Sequence, residues 1–302
     1  MKWKTTKLLL LPALAIGASL AMLAATASAQ NGNQNLKTNS KIAYHDGPVM
    51  WGSTDLYFIW YGCWPCGAGS DTEIQGILID FASRLGSSSY ALINTTYPDF
   101  IAAPSGALLY AGSVNDTSYS HGKELNALAI QGIVAKHIAA GNFPLDVSGI
   151  YIVVAGYDIS SNATGFCTSP LTPPHHGIAP YNGVPMKYAF IGNPSQCLTT
   201  AASQYVSPDG IVLPTPNGNI VADAMASTLA HAINAVLTNP SGTGWFDRYG
   251  LENAAKCQGT FGETYTTENG ARANMRLGAR HFLIQQNWVN APRKGYCGLS
   301  IQ

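Results

Sequence analysis

Apolar residues are packed most densely from Thr54 to Tyr61, where Thr-Asp-Leu-Tyr-Phe-Ile-Trp-Tyr is rich in β-formers and almost unbroken. Such a run fits a strand buried on both faces. Asp71 then stands in an N-cap position, and Ile74, Ile77, Leu78, Phe81 and Leu85 recur at helical spacing. Val114 to His121 is polar and carries turn residues, which predicts a loop. Helical periodicity returns over Glu124 to Ala140 through Leu125, Leu128, Gly132 and Ile133, and Tyr151 to Val154 reads as another buried strand. Gly, Pro and Asn crowd Ser160 to Pro185, a long loop that Cys167 could tie down. Lys187 to Ile191 reads as a further strand.

The most regular helix spans Val221 to Leu237 and is ended by Thr238-Asn239-Pro240. Met225, Leu229, Ala232, Ile233 and Val236 form its apolar stripe. At 100° per residue, Ala224, Ser227, His231, Ala235 and Thr238 share a second face that is small, polar and centred on one imidazole. The remainder, Gly242 to Gln302, is rich in Gly and aromatics and ends in a strand-like His281 to Val289. No internal repeat or low-complexity tract interrupts the pattern. Strands alternating with amphipathic helices predict an α/β fold, with α+β as the alternative: one domain, residues 42–302, in which helices pack on a mixed sheet.

The first 41 residues lie outside that pattern. Lys2, Lys4 and Lys7 precede an uncharged run of sixteen residues from Leu8 to Leu23, and Ala27-Ser28-Ala29 stands just before Gln30. A positive start, a short apolar core and small residues make a removable secretion signal, residues 1–29, with cleavage after Ala29. Residues 30–41 form a polar, flexible leader. The apolar run is short of the roughly 20 residues of a spanning helix, and no later segment reads as a span. The mature chain is therefore expected to be secreted or, in a Gram-negative bacterium, periplasmic.

Charge narrows the partners. The whole chain carries 16 Lys+Arg and 16 Asp+Glu; without the three lysines of the signal the balance becomes 13 against 16. Lacking a basic excess, the chain is not expected to bind nucleic acid. Six cysteines allow 15 connectivities, and pairing neighbours along the chain joins Cys63 with Cys66, Cys167 with Cys197, and Cys257 with Cys297. Cys63-Trp64-Pro65-Cys66 has redox spacing, but Gly67 to Gly69 intervenes where a redox motif would open a helix. A zinc ribbon needs a second such pair, which the sequence lacks.

Several segments together resemble the phosphate-induced protein/EXORDIUM family. They are Tyr44-His45-Asp46-Gly47-Pro48-Val49, Leu56 to Gly62, Gly165-Phe166-Cys167, His176-Gly177, Ile191 to Cys197 and Thr238 to Phe246. The resemblance, taken as that of a bacterial-type member, implies a secreted protein of the wall or extracellular space, in a family known mainly from plants and linked to growth. It implies no particular reaction.

A second resemblance is narrower. Ser227 to Pro240 is similar to the His-Glu-Leu-Ala-Glu helix of certain secreted zinc metallopeptidases, and with it the fold would be zincin-like. In such a helix, ligands at i and i+4 hold zinc and a Glu at i+1 activates water. Here His231 fills the first position, but Ala232 stands in place of the base, Ala235 in place of the second ligand, and Ala255 in place of a downstream Asp. A metal at His231 would have to recruit His176 or His175 from the long loop, with Asp247 or Glu252.

No Gly-x-Ser-x-Gly elbow marks a serine hydrolase, since Gly67-Ala68-Gly69-Ser70-Asp71 does not fit it. Phosphate-cradling glycine patterns are absent as well. Among the aromatics, Trp60 and Trp288 read as core, whereas Trp245 could stack on a ligand. Sequons at Asn94, Asn115 and Asn162 would mark surface loops. The sequence thus predicts a monomeric, disulfide-stapled, non-catalytic binding protein with no cofactor, whose ligand is a peptide or an extracellular glycan. Two rivals stand beside it: an active metallohydrolase holding zinc through His231 and His176, and a binder of cell-wall polysaccharide.

Overall fold

Strand β2 (Gly52–Tyr61) forms the axis of the molecule, as its apolar run predicts. The structure, a computed structural model, describes residues 40–64, 66, 70–160, 164–168 and 173–302. The expected signal and nearly all of the leader lie outside the described residues, as does the sequon at Asn162. Residues 41–302 form one compact unit.

Five strands make the main sheet: β2, β3 (Pro104–Asp116), β4 (Gly149–Ala155), β5 (His176–Tyr181) and β6 (Val184–Ile191). Their spatial order is β3-β2-β4-β6-β5. All pairings are parallel except β5 with β6, so the fold is mixed α/β. Crossovers run through α1 (Ser70–Leu85) and α2 (Ala127–Ala139). Because neighbouring side chains on a strand face opposite ways, Leu56, Phe58, Trp60, Ile150, Ile152 and Val154 join the core under α1. Tyr57, Ile59, Tyr61, Tyr151 and Val153 face the α2 side. Each fully buried side chain of this kind contributes about 1.5–3 kcal/mol.

Three local readings are corrected. Strand β3 runs through Asp116, into the segment read as a loop. It lies at the sheet edge, where its exposed positions mix polar Ser105, Ser113 and Asn115 with Leu109 and Ala111, and Gly106 and Gly112 adopt positive φ; no clean alternation betrays it. Helix α2 begins only after Asn126, whose side chain accepts the Ala129 N–H. Its buried stripe is Ile130, Ile133, Val134 and His137, while Leu128 is 75% exposed. His176 is not in a loop but opens β5, with Gly177 approaching the Tyr188 side chain too closely for a Cβ.

The regular helix is α4 (Ile220–Thr238), following a single turn α3 (Leu198–Ala201). Asn219 caps α4 by accepting the Ala222 N–H. Alanines at 222, 226, 230 and 232 let it pack against α1 and β6. It is buried on both the stripe and the small polar face, so it is not amphipathic in place. Contrary to the sequence reading, its length and mean hydropathy of 1.4 meet those of a membrane span; 83% of that window is buried inside the fold. Helices of this composition serve equally as core helices.

The C-terminal part consists of short pieces. Strand β7 (Trp245–Asp247) pairs with β1 (Ile42–Tyr44), and α5 (Asn253–Lys256) follows. Small two-stranded sheets join β8 (Tyr265–Thr266) to β9 (Arg272–Ala273), β10 (Met275–Leu277) to β11 (Arg280–Phe282), and β12 (Asn287–Val289) to β13 (Tyr296–Gly298). The strand expected from His281 to Val289 is therefore broken between β11 and β12. The break turns Gln285 toward α4. The disulfides are Cys63–Cys66, Cys167–Cys197 and Cys257–Cys297.

Asparagines bind these pieces together. Asn94 is fully buried, not on a surface loop, and donates to Asn234 Oδ1 at 2.7 Å and to the Ala91 carbonyl. Asn253 donates to Asn94 Oδ1 and to the Asn234 carbonyl. A buried polar group deprived of its partner costs about 1–3 kcal/mol. Asn94→Leu is therefore expected to lower the unfolding free energy by about 2–3 kcal/mol, measured by urea denaturation; a change below about 0.5 kcal/mol would show the network to be energetically idle.

Candidate functional site

The small polar face of α4 meets the exit of β6. There a cavity of about 250 Å³ is lined by Ser227, Thr228 and His231 from α4, Phe190 and Gly192 from β6 and its exit, and Gln285 from the β11–β12 break. Phe166 and His175 close another side, and the Cys167–Cys197 disulfide ties this wall to the segment after β6. Gly192 is required by packing: a Cβ there would lie 2.4–2.5 Å from the Phe166 ring. The cavity lies at the carboxyl end of a parallel strand, where open α/β sheets bind ligands.

Gln285 fixes the state of His231. Its backbone N–H donates to Ser227 Oγ at 3.0 Å, and its carbonyl accepts the Tyr90 hydroxyl. Its side-chain Nε2 donates to the Ala254 carbonyl at 2.8 Å, while Oε1 faces the Gly259 N–H at 3.4 Å. That orientation brings the amide nitrogen to His231 Nδ1 at 3.3 Å. An amide nitrogen only donates, so Nδ1 must accept and the ring proton sits on Nε2. His231 is 3% exposed, and its Nε2 has no partner among the described residues. Burial, then the nearby His176, pushes its pKa down to about 3, which keeps the ring neutral.

His175 is a second ring on the same cavity, its buried Nε2 without a partner among the described residues. Its backbone carbonyl accepts the Phe190 N–H, which ties it to β6. Burial and the adjacent His176 lower its pKa. His176 is set differently: its Nε2 lies 3.2 Å from Glu252 Oε1. Burial pulls its pKa down, but the bond to Glu252 and the Glu252 charge outweigh that and leave it raised. Glu252 also accepts from Asn239 at 2.6 Å. Asp247 is bound at 2.9 Å to Lys256, both side chains fully buried.

The residues singled out from the sequence therefore divide. His231 and His175 share the cavity; His176 and Glu252 pair with each other near it; Asp247 belongs to a separate ion pair. Among the described residues, no group of three or more His, Cys, Asp or Glu side chains could hold a metal ion. Trp245 is engaged in packing, its Nε1 donating to the Pro98 carbonyl and its ring lying against Tyr44 and Tyr97. Trp60 and Trp288 are core residues. Sequence reasoning overlooked Gln285, whose place 54 residues beyond His231 carries no local signal.

The sequence signature described as Phosphate-induced protein 1 conserved region matches residues 42–288. EXORDIUM-like 3 of Arabidopsis thaliana is 28% identical over 284 residues, covering 85% of this chain and 82% of the relative. EXORDIUM-like 5 of the same plant is 27% identical, over 82% of this chain and 75% of its own length. PHOSPHATE-INDUCED 1 of Nicotiana tabacum is 26% identical, over 74% of each. No solved structure matches.

The two buried rings give opposite signs of pH dependence. Unfolded, His231 returns to about 6.5, so its contribution is complete above that value and is lost as pH falls toward the folded pKa of about 3. His176, with a raised folded pKa, contributes below about 6.5 and loses it as pH rises through the folded value. Chemical denaturation as a function of pH should therefore show a shallower acid-side loss for His231→Phe, between about pH 6.5 and 4, and none of that relief for His176→Phe. Equal slopes in wild type and His231→Phe would mean that the ring is not held neutral.

Proposed function

The chain belongs to the phosphate-induced protein 1 family, and from that membership and the cavity beside α4 we propose that it is an exported protein that binds a ligand there without transforming it. Three disulfides suit an oxidising compartment outside the cytosol, and the leader sequence carries the features of a secretion signal. The relatives' names carry no reaction.

One observation carries the non-catalytic reading: Gln285 holds His231 with its proton on Nε2, the atom a metal would need bare. Ala232 and Ala235 occupy the positions from which a peptidase helix supplies base and second ligand. Neither methyl can take a proton or hold an ion. Glu252 is engaged by His176 and Asn239. What stays on offer is a partly enclosed cavity with unpaired donors, the usual form of a binding site.

The test uses the purified secreted protein. Peptide-library digestion should give no cleavage above a His231→Phe control, and metal analysis should find no stoichiometric zinc. A ligand present at a hundred times its Kd should raise the unfolding free energy by about 2.7 kcal/mol in wild type. His231→Phe should lose most of that gain. Zinc-dependent hydrolysis abolished by His231→Phe would establish a metallohydrolase instead.

A further inference from the structure

We propose that the cavity beside α4 takes one uncharged sugar ring, free or at the end of a glycan, with His231 as a fixed hydrogen-bond donor to it. This rests on the reading of the site as one that binds without turnover.

Charge excludes most alternatives. Among the described residues, no Asp, Glu, Lys or Arg lines the cavity, and both lining histidines are pushed toward the neutral form. In sequence, residues 161–163 and 169–172, adjoining lining residues, carry no ionisable side chain. A phosphate, a carboxylate or an ammonium would be buried with no opposite charge, which is strongly unfavourable. The occupant is therefore neutral.

The polar groups ask for hydroxyls. His231 offers an N–H that no group among the described residues accepts. Ser227 Oγ already accepts the Gln285 N–H, so its own hydrogen is available to donate. One residue on, Thr228 Oγ1 donates to the Ala224 carbonyl and keeps lone pairs to accept. Donor, acceptor and donor thus stand within a little over one turn of α4. A hydroxyl both donates and accepts, so adjacent ring hydroxyls can satisfy all three. Phe166, Phe190 and Phe261 supply apolar walls suited to the C–H faces of a saturated ring. At about 250 Å³ the space equals about eight waters of ~30 Å³ each. That is room on the scale of one ring.

Calorimetry on the full-length mature protein tests the proposal with neutral methyl pyranosides (gluco, galacto, manno, xylo and N-acetylgluco forms), zinc chloride alone and sodium phosphate alone. At least one pyranoside should bind, with the same affinity at low and high salt, because no charged group faces it. Thr228→Val, which removes the acceptor, and His231→Phe, which removes the donor, should each weaken binding about tenfold or more. Gln285→Glu should move the His231 proton to Nδ1, visible in long-range proton–nitrogen NMR of the ring, and weaken the sugar in step. NMR also reports whether each variant is folded; if His231→Phe is not, Thr228→Val and Gln285→Glu carry the test.

No binding by any pyranoside to folded wild type overturns the proposal, as does sugar binding indifferent to Thr228→Val and Gln285→Glu. Phosphate bound in place of a sugar would sink the ligand class and leave the binding reading standing. Stoichiometric zinc would sink both, because that reading has His231 Nε2 carrying its proton.

Discussion

A helix buried on every side must satisfy each polar side chain from its neighbours, and that constraint on α4 shapes the centre of this protein. Asp223 is held by Asn217, Ser227 by the Gln285 backbone, Asn234 by Asn94, and Asn239 by the Gly244 N–H and Glu252. Asn217 lies just before the helix and Gly244 just before β7, while the other partners come from the β11–β12 break, the Ala91–Thr96 turn and the β7–α5 segment, so the helix collects distant short pieces around itself. Among the described residues, two buried side-chain atoms on α4 stay unpaired, Asn234 Nδ2 inside the asparagine cluster and His231 Nε2 on the cavity. Only the second has room beside it for a ligand.

The same constraint explains why the site is neutral. Gln285 spends both ends of its amide on backbone groups and presents the nitrogen to His231, which leaves the imidazole one tautomer. Complete burial then holds it uncharged. The carboxylates near α4 are engaged elsewhere, Glu252 with His176 and Asp247 with Lys256. Helix α4, with alanine at 232 and 235, thus becomes one wall of a cavity built from hydroxyls, amides and phenyl rings.

Much of the frame was legible in the sequence. The runs at Thr54–Tyr61 and Tyr151–Val154 are buried parallel strands, and continuous apolar runs announce such strands. Helix α4 was legible too, because nineteen residues without Gly or Pro leave few other outcomes. Strand β3 was not, since an edge strand exposes alternate positions and its glycines break the pattern. Asn94 shows a different limit. A sequon suggests solvent, yet its amide is consumed by Asn234 and by the Ala91 carbonyl, partners that no local window reveals. Among site residues, His231 and the face it shares with Ser227 were visible from helical geometry. Gln285 was not, because what it does depends on a break between two short strands.

A neutron structure of the protein with its cavity ligand bound would bear on the central claim most directly, since it locates the ring hydrogens of His231. The expected result is deuterium on Nε2, none on Nδ1, and an uncharged oxygen acceptor facing Nε2. Deuterium on Nδ1, or an ion coordinated at Nε2, would contradict it.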